Sequence, residues 1–165
     1  MIKFEKVSFN QFLRDFPIQL SSDEELIRKY YDKLNLPRRA TPGSAGYDFF
    51  MPYDQIFTGD MEVLFPTGIR AIIPDNTFLM CVPRSGLGFK YGMRLVNTTG
   101  IIDASYAGAE NEGHIMAKVS SERYFRLNRG DRFMQGIIVP YLITDDDDPI
   151  QSARTGGFGS TGGAA

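Results

Sequence analysis

Residues 66–83 read PTGIRAIIPDNTFLMCVP, two short apolar runs with a turn sequence between them. The first run spans residues 69–73 and the second spans residues 78–82. Proline, glycine, aspartate and asparagine flank both runs. Short apolar runs bounded by such residues are typical of β-strands joined by tight turns. The stretch therefore predicts two consecutive strands.

The same pattern recurs towards the C-terminus. Apolar runs at residues 114–119 and 133–141 also read as strands, and the segment 128–131 before the second run has the composition of a turn. Short strands at this spacing are typical of an all-β sandwich or barrel. The chain has 165 residues, which is the size of one domain. We therefore expect a single all-β domain.

One segment near the N-terminus has helical periodicity instead. Apolar residues recur at helical intervals from Leu26 to Leu34, and Ser22 precedes Glu25 by the three residues of a capping box. These features predict one amphipathic helix over about 22–34, within an N-terminal extension of residues 1–36. We expect it to pack on the β core, and the alternative is a helix that binds a partner protein.

Charge and composition exclude several classes of protein. The 18 basic and 20 acidic residues leave a net charge of -2, which does not suit a broad basic face for nucleic acid. A single cysteine and a single histidine exclude the usual Cys/His zinc sites. No apolar run reaches the ~20 residues that span a bilayer, and the first residues do not resemble a signal peptide. We therefore expect a cytoplasmic protein with no membrane segment and no direct nucleic-acid binding.

Three segments carry residues suited to anion chemistry. Arg84, Ser85 and Gly86 follow the second strand and offer a charge, a hydroxyl and accessible backbone. The glycine-rich segment 154–162 could enclose a phosphate with backbone N–H groups. Asp103 would cap a turn if taken alone, whereas beside a phosphate site it is suited to activate water.

These segments belong to a set of five that occur in one order along the chain. Together they resemble the motifs of the trimeric dUTP diphosphatase (dUTPase) family, and the resemblance extends from about Pro37 to the C-terminus. One such motif alone would be a weak signal, but five in order are specific. The five segments are residues 40–48, 83–88, 97–108, 129–135 and 154–162.

The resemblance implies a fold, an assembly and a reaction. The fold would be a jelly-roll-like β barrel over residues 37–150, in a homotrimer whose active sites are shared between subunits. A flexible glycine-rich arm, residues 151–165, would close the site. The reaction would be the hydrolysis of dUTP to dUMP and pyrophosphate, which limits uracil incorporation into DNA and supplies dUMP for thymidylate synthesis.

The resemblance also implies a role for each matching residue. Asp103 would be the general base that activates water for attack on the α-phosphorus. Mg²⁺ would bind the triphosphate, and Asp48 would reach it only through water, so that no direct protein ligand is expected. Uracil and sugar would be bound by Asn97, Gly100, Ile101, Ile102, Tyr106 and Phe158. The phosphates would be bound by Arg84, Ser85, Gly86, Gln135, Arg154, Gly156, Gly157, Gly159, Ser160 and Thr161.

Three features depart from the family pattern, and two alternatives stay open. The extension 1–36 lies beyond the compact core, the segment 109–113 is longer than usual on the sugar side of the pocket, and residues 145–148 add an acidic run. The first alternative is an enzyme of the same fold that resembles dCTP deaminase. The second is a nucleotide-regulated module that binds a partner protein through the extension.

Overall fold

Antiparallel strands dominate the structure, a computed structural model that describes residues 1–59 and 61–149. This confirms the predicted all-β class. The elements in chain order are β1 (Lys3–Lys6), α1 (Phe9–Asp15), α2 (Glu24–Asp32), β2 (Arg38–Arg39), β3 (Tyr47–Phe50), β4 (Gln55–Phe57), β5 (Glu62–Pro66), β6 (Ile69–Ile72), β7 (Thr77–Pro83), α3 (Ser85–Tyr91), β8 (Arg94–Leu95), β9 (Gly100–Asp103), a 3₁₀ helix (Ala104–Gly108), β10 (Met116–Ser120), β11 (Phe125–Leu127) and β12 (Arg132–Pro140).

The strands of this part of the chain form four sheets, and none of the four closes on itself. Two are pairs, β1-β6 and β11-β4, and a third has the order β5-β10-β8. The largest has the order β2-β3-β12-β7-β9. The two strands predicted from residues 66–83 are β6 and β7. In this sheet β7 lies between β12 and β9.

The N-terminal extension contains two helices rather than the one that was predicted. The helix expected over 22–34 is α2, and its N-cap is Asp23 instead of Ser22. Asp23 Oδ1 accepts the N–H groups of Glu25 at 2.9 Å and Leu26 at 3.3 Å. Asp23 thereby caps the first turn of the helix, the role that the sequence pattern assigned to Ser22. Helix α1 was missed because its seven residues are too few for a clear periodicity. Among the described residues, no helix is long and apolar enough to cross a membrane.

The extension shares its core with the β-strands. Phe12 in α1 is completely buried, and its ring lies near the ring of His114, which precedes β10. Phe16 contacts Tyr53 edge to face, with ring centroids 5.2 Å apart. Ile27 of α2 belongs to the same buried cluster, which confirms that the predicted helix packs on the β core.

Two neighbouring residues of α2 test this packing. Ile27 is 2% exposed and Leu26 is 36% exposed, although both are aliphatic and lie one position apart. Ile27→Ala should lower the free energy of unfolding by about 2–4 kcal/mol, because it removes buried methyl groups and leaves a cavity. Leu26→Ala, the matched control, should cost well under half as much, as measured by urea denaturation. Equal effects would show that α2 does not contribute to the core.

Candidate active site

A buried carboxylate organises the polar residues at one end of the largest sheet. Asp48 in β3 is 1% exposed. Its Oδ1 accepts a hydrogen bond from Gln135 Nε2 at 3.1 Å and lies 3.3 Å from Arg84 Nε. Its Oδ2 accepts a hydrogen bond from Arg132 Nη1 at 3.2 Å. A carboxylate taken out of water needs such partners, so Asp48 fixes both guanidinium groups, whose side chains remain 32% and 43% exposed.

A β-bulge in β12 places two of these partners on the same side of the sheet. Arg132 and Gln135 are three positions apart and would point to opposite faces of a regular strand. The pairing with β3 shifts between Arg132 and Met134, so one extra residue is inserted there. Phe133 and Met134 are both buried as a result, and Arg132 and Gln135 both reach Asp48.

Arg84, Ser85 and Gly86 lie where β7 ends and α3 begins. The N–H of Arg84 donates to the carbonyl of Phe133 at 3.1 Å, which ties this junction to the bulge in β12. Arg84 is the N-cap of α3, and its side chain does not cap the helix. Ser85 and Gly86 form the first turn and are exposed. The sequence predicted anion-binding residues here but not the helix that follows them.

A second group of predicted residues lies at the other end of β7. Strand β9 pairs with β7 so that Asp103 is opposite Phe78 and Gly100 is opposite Cys81. Asp103 is exposed. Six positions separate Phe78 from Arg84, so the Asp103 and Arg84 backbones are about 20 Å apart along the strand. The structure therefore does not bring Asp103 and Arg84 together within one chain.

The predicted base-binding residues lie on and before β9. Asn97 is exposed in the turn that joins β8 to β9, and Thr98 of this turn has a φ of 66°. In β9, Ile101 is exposed, Ile102 is partly buried and Gly100 is buried. Because β9 is an edge strand of the largest sheet, one side of its backbone is not paired within that sheet. This edge can offer backbone donors and acceptors to a ligand.

Tyr106 lies in the 3₁₀ helix directly after Asp103 and is 5% exposed. Its hydroxyl donates to the carbonyl of His114 at 3.0 Å and accepts from Asn111 Nδ2 at 2.7 Å. The sequence shows the length of the 109–113 segment, but not that Asn111 and His114 contact Tyr106. An asparagine five residues after a motif tyrosine is a signal too common to have identified this contact.

A cavity of about 460 Å³ lies beside Asp48. Arg38 and Arg39 of β2 line it together with Arg132, and Arg38 pairs in register with Asp48. Arg38 and Arg39 were not among the predicted site residues, although two adjacent arginines just before the 40–48 motif were a signal. The arrangement concentrates positive charge next to Asp48.

The groups around Asp48 matter for the expected Mg²⁺ ion, because Asp48 is the residue predicted to reach it through water. Within the described part of the chain, no group of three or more His, Cys, Asp and Glu residues could hold a metal ion. Both Asp48 oxygens face cationic or amide donors. The Asp48 carboxylate is therefore already engaged by three side chains of the protein. The predicted residues Arg154, Gly156, Gly157, Phe158, Gly159, Ser160 and Thr161 lie outside the described residues.

Fold and site together show an all-β protein in which the guanidinium groups of Arg84 and Arg132 are held beside Asp48, and such groups are suited to bind phosphate. The dUTPase family model matches residues 32–162. The deoxyuridine 5'-triphosphate nucleotidohydrolase of Lactococcus lactis is 35% identical over 143 residues, covering 84% of this chain and 95% of the relative. The enzyme of the same name from Laribacter hongkongensis is 41% identical over 139 residues, covering 76% of this chain and 87% of the relative.

A solved structure agrees with these relatives. The dUTPase of Streptococcus mutans aligns with a TM-score of 0.64 and 31% identity, covering 87% of this chain and 98% of the other. The chain belongs to the dUTPase family. The relatives named here do not support the alternative of an enzyme like dCTP deaminase.

Asp48 and Asp54 both contact arginine side chains, but only Asp48 is buried. Asp48→Asn keeps the shape of the side chain but removes the charge that faces Arg84 and Arg132, and it should lower the free energy of unfolding by about 2–3 kcal/mol. Asp54 is the matched control, because its exposed carboxylate accepts from Arg126 Nη2 at 2.6 Å. Asp54→Asn should cost about 1 kcal/mol or less. Urea denaturation of both variants measures the difference, and a smaller loss for Asp48→Asn would contradict its organising role.

Proposed function

We propose that this member of the dUTPase family hydrolyses dUTP to dUMP and pyrophosphate in the cytoplasm, at a site shared between subunits, with Asp103 as general base. The observation that carries the shared site is the position of the family's residues at opposite ends of β7. Arg84 follows one end of the strand, and Asp103 pairs with the other end. The phosphate chain of a nucleotide is much shorter than the about 20 Å between them.

A homotrimer resolves this separation. If the Arg84 end of one subunit meets the Asp103 end of the next, a head-to-tail contact repeated three times closes into a ring. Exposed apolar side chains are available for such contacts, including Phe89 of α3, Ile101 of β9 and Leu142 after β12. The segment 151–165 would complete each site, with Phe158 on the base and Arg154, Ser160 and Thr161 on the terminal phosphate.

The Asp48 end of the sheet would bind the phosphates. Arg84 and Gln135 both contact Asp48, so their side chains are oriented before a substrate arrives. Such preorganisation favours binding because fewer side-chain rotamers have to be fixed. Ser85 and Gly86 add a hydroxyl and backbone N–H groups at the exposed start of α3. The bound triphosphate would carry Mg²⁺, which neutralises charge on the phosphate oxygens when it is present.

The Asp103 end would bind the nucleoside. The open edge of β9, with Gly100, Ile101 and Ile102, can pair with the donor and acceptor edge of uracil, and Asn97 adds an amide. Such a site rejects cytosine, because its exocyclic amine would leave a backbone group unpaired. Tyr106 would contact the deoxyribose and exclude a 2′-hydroxyl.

The reaction then needs one proton acceptor and a correctly placed water. Asp103 accepts the proton of a water molecule whose oxygen attacks the α-phosphorus in line. The bond from that phosphorus to the oxygen bridging it to the β-phosphorus breaks, and pyrophosphate leaves. Arg84 stabilises the negative charge that develops on the departing group.

Replacement of Asp103 tests its role as a base. Asp103→Asn should keep dUTP binding and lower kcat by about 10²–10⁴-fold, because an amide of the same shape cannot accept the proton. Pyrophosphate release and dUTP binding are measured separately. Asp32→Asn, the same change on the exposed last residue of α2, is the control and should leave kcat unchanged. Wild-type turnover in Asp103→Asn would remove this residue from the mechanism.

Mixed trimers test whether the site is shared. Arg84→Ala and Asp103→Asn subunits are each expected to form inactive trimers. After subunit exchange at equal concentrations, about a quarter of the sites should combine an intact Arg84 with an intact Asp103 from a different subunit, and activity should return to about that level. Each variant mixed with itself is the control. Mixtures with verified exchange but no recovered activity would indicate that one subunit supplies both residues.

A further inference from the structure

The segment 111–114 holds the Tyr106 hydroxyl from two sides. Asn111 Nδ2 donates to this hydroxyl at 2.7 Å, and the hydroxyl donates to the carbonyl of His114 at 3.0 Å. Between them, the N–H of Gly113 donates to Asn111 Oδ1 at 3.2 Å. Gly113 has a φ of 72°, and a Cβ there would lie 2.7 Å from the carbonyl oxygen of Tyr106. The close approach of this segment to Tyr106 therefore requires glycine.

Helix α1 of the extension contacts this segment at both of its ends. At the start of the helix, Glu112 Oε2 accepts the N–H of Ser8 at 2.7 Å, and Glu112 Oε1 accepts the Ser8 hydroxyl at 2.5 Å. At the end of the helix, Asp15 Oδ2 lies 2.6 Å from His114 Nδ1. One helix thus holds the residues on both sides of Gly113.

The donor and the acceptor in the hydrogen bond between Asp15 and His114 can be assigned. His114 is completely buried, and its Nε2 accepts the N–H of Gly68 at 2.8 Å. The ring proton is therefore on Nδ1, which donates to Asp15. Burial alone would raise the pKa of the Asp15 carboxyl, but hydrogen bonds from His114 and Gln11, with the charge of Arg14, hold this pKa below its usual value. Asp15 is thus an ionised acceptor that orients the His114 ring.

We propose that Asn111 and His114 are positioning residues for Tyr106, and that helix α1 fixes them, so that the N-terminal extension sets how strongly the enzyme discriminates dUTP from UTP. The inference rests on the proposed function of Tyr106 at the deoxyribose. A tyrosine can exclude a 2′-hydroxyl only if its ring does not move away. Hydrogen bonds at the far end of the side chain restrict that movement.

The variant that tests the contact most directly is Asn111→Asp. It keeps the oxygen that accepts from Gly113, but it replaces the donor to the Tyr106 hydroxyl with a second acceptor. The ratio of kcat/KM for dUTP to that for UTP should fall at least about threefold, with the main change in the KM for UTP. Asn10→Asp, the same change on the exposed face of α1, is the control and should leave the ratio unchanged.

A double-mutant cycle separates positioning from a general structural effect. Tyr106→Phe should lower the same ratio, and Asn111→Asp should have no further effect on the ratio in that background. Glu112→Ala, which removes both contacts to Ser8, should also lower the ratio only when the Tyr106 hydroxyl is present. A purely structural role would lower the unfolding midpoint and leave the ratio unchanged. If Asn111→Asp does not fold, Tyr106→Phe tests the same hydroxyl.

Two results would overturn the inference, and they are distinguishable. If the wild type discriminates dUTP from UTP but the ratio stays within twofold in Asn111→Asp and in Tyr106→Phe, positioning by this network is wrong and the proposed function stands. If the wild type hydrolyses UTP as well as dUTP, the proposed role of Tyr106 fails, and the inference fails with it.

Discussion

Burial of the Asp48 carboxylate constrains much of the largest sheet. A carboxylate that is 1% exposed is strongly destabilising unless cations and donors surround it. The chain meets this requirement with Arg84 after β7 and with Arg132 and Gln135 of β12. Two of these partners reach Asp48 only because β12 contains a bulge. The interaction that satisfies the buried charge thus also orients the groups proposed to bind phosphate.

The length of β7 has a consequence for assembly. A strand is rigid along its axis, so the residues at its two ends cannot approach each other within one subunit. In the proposed function, the Arg84 end and the Asp103 end of β7 therefore contribute to different sites. Under this proposal a single subunit does not hold a complete site, so activity requires the assembly of subunits.

The N-terminal extension connects the core to the segment that contacts Tyr106. Its buried residues, among them Phe12 and Ile27, belong to the same apolar cluster as the strands, so removing the extension would expose the core. Its first helix also contacts Glu112 and His114, next to the residues that hold Tyr106. Under the proposed role of Tyr106, a segment outside the family motifs affects the specificity of a residue inside them.

The sequence alone determined the all-β class, the strands β6 and β7 and the family motifs, because alternating turns and short apolar runs are local patterns. It also indicated an amphipathic helix, but not its cap at Asp23 or the seven-residue helix α1, since short helices are stabilised mainly by tertiary packing. Only the tertiary structure showed that Arg84 follows one end of β7 while Asp103, in β9, is opposite the other end, and that Asn111 contacts Tyr106. Strand register and the contacts of a buried side chain depend on residues far apart in the chain, and no local pattern encodes them.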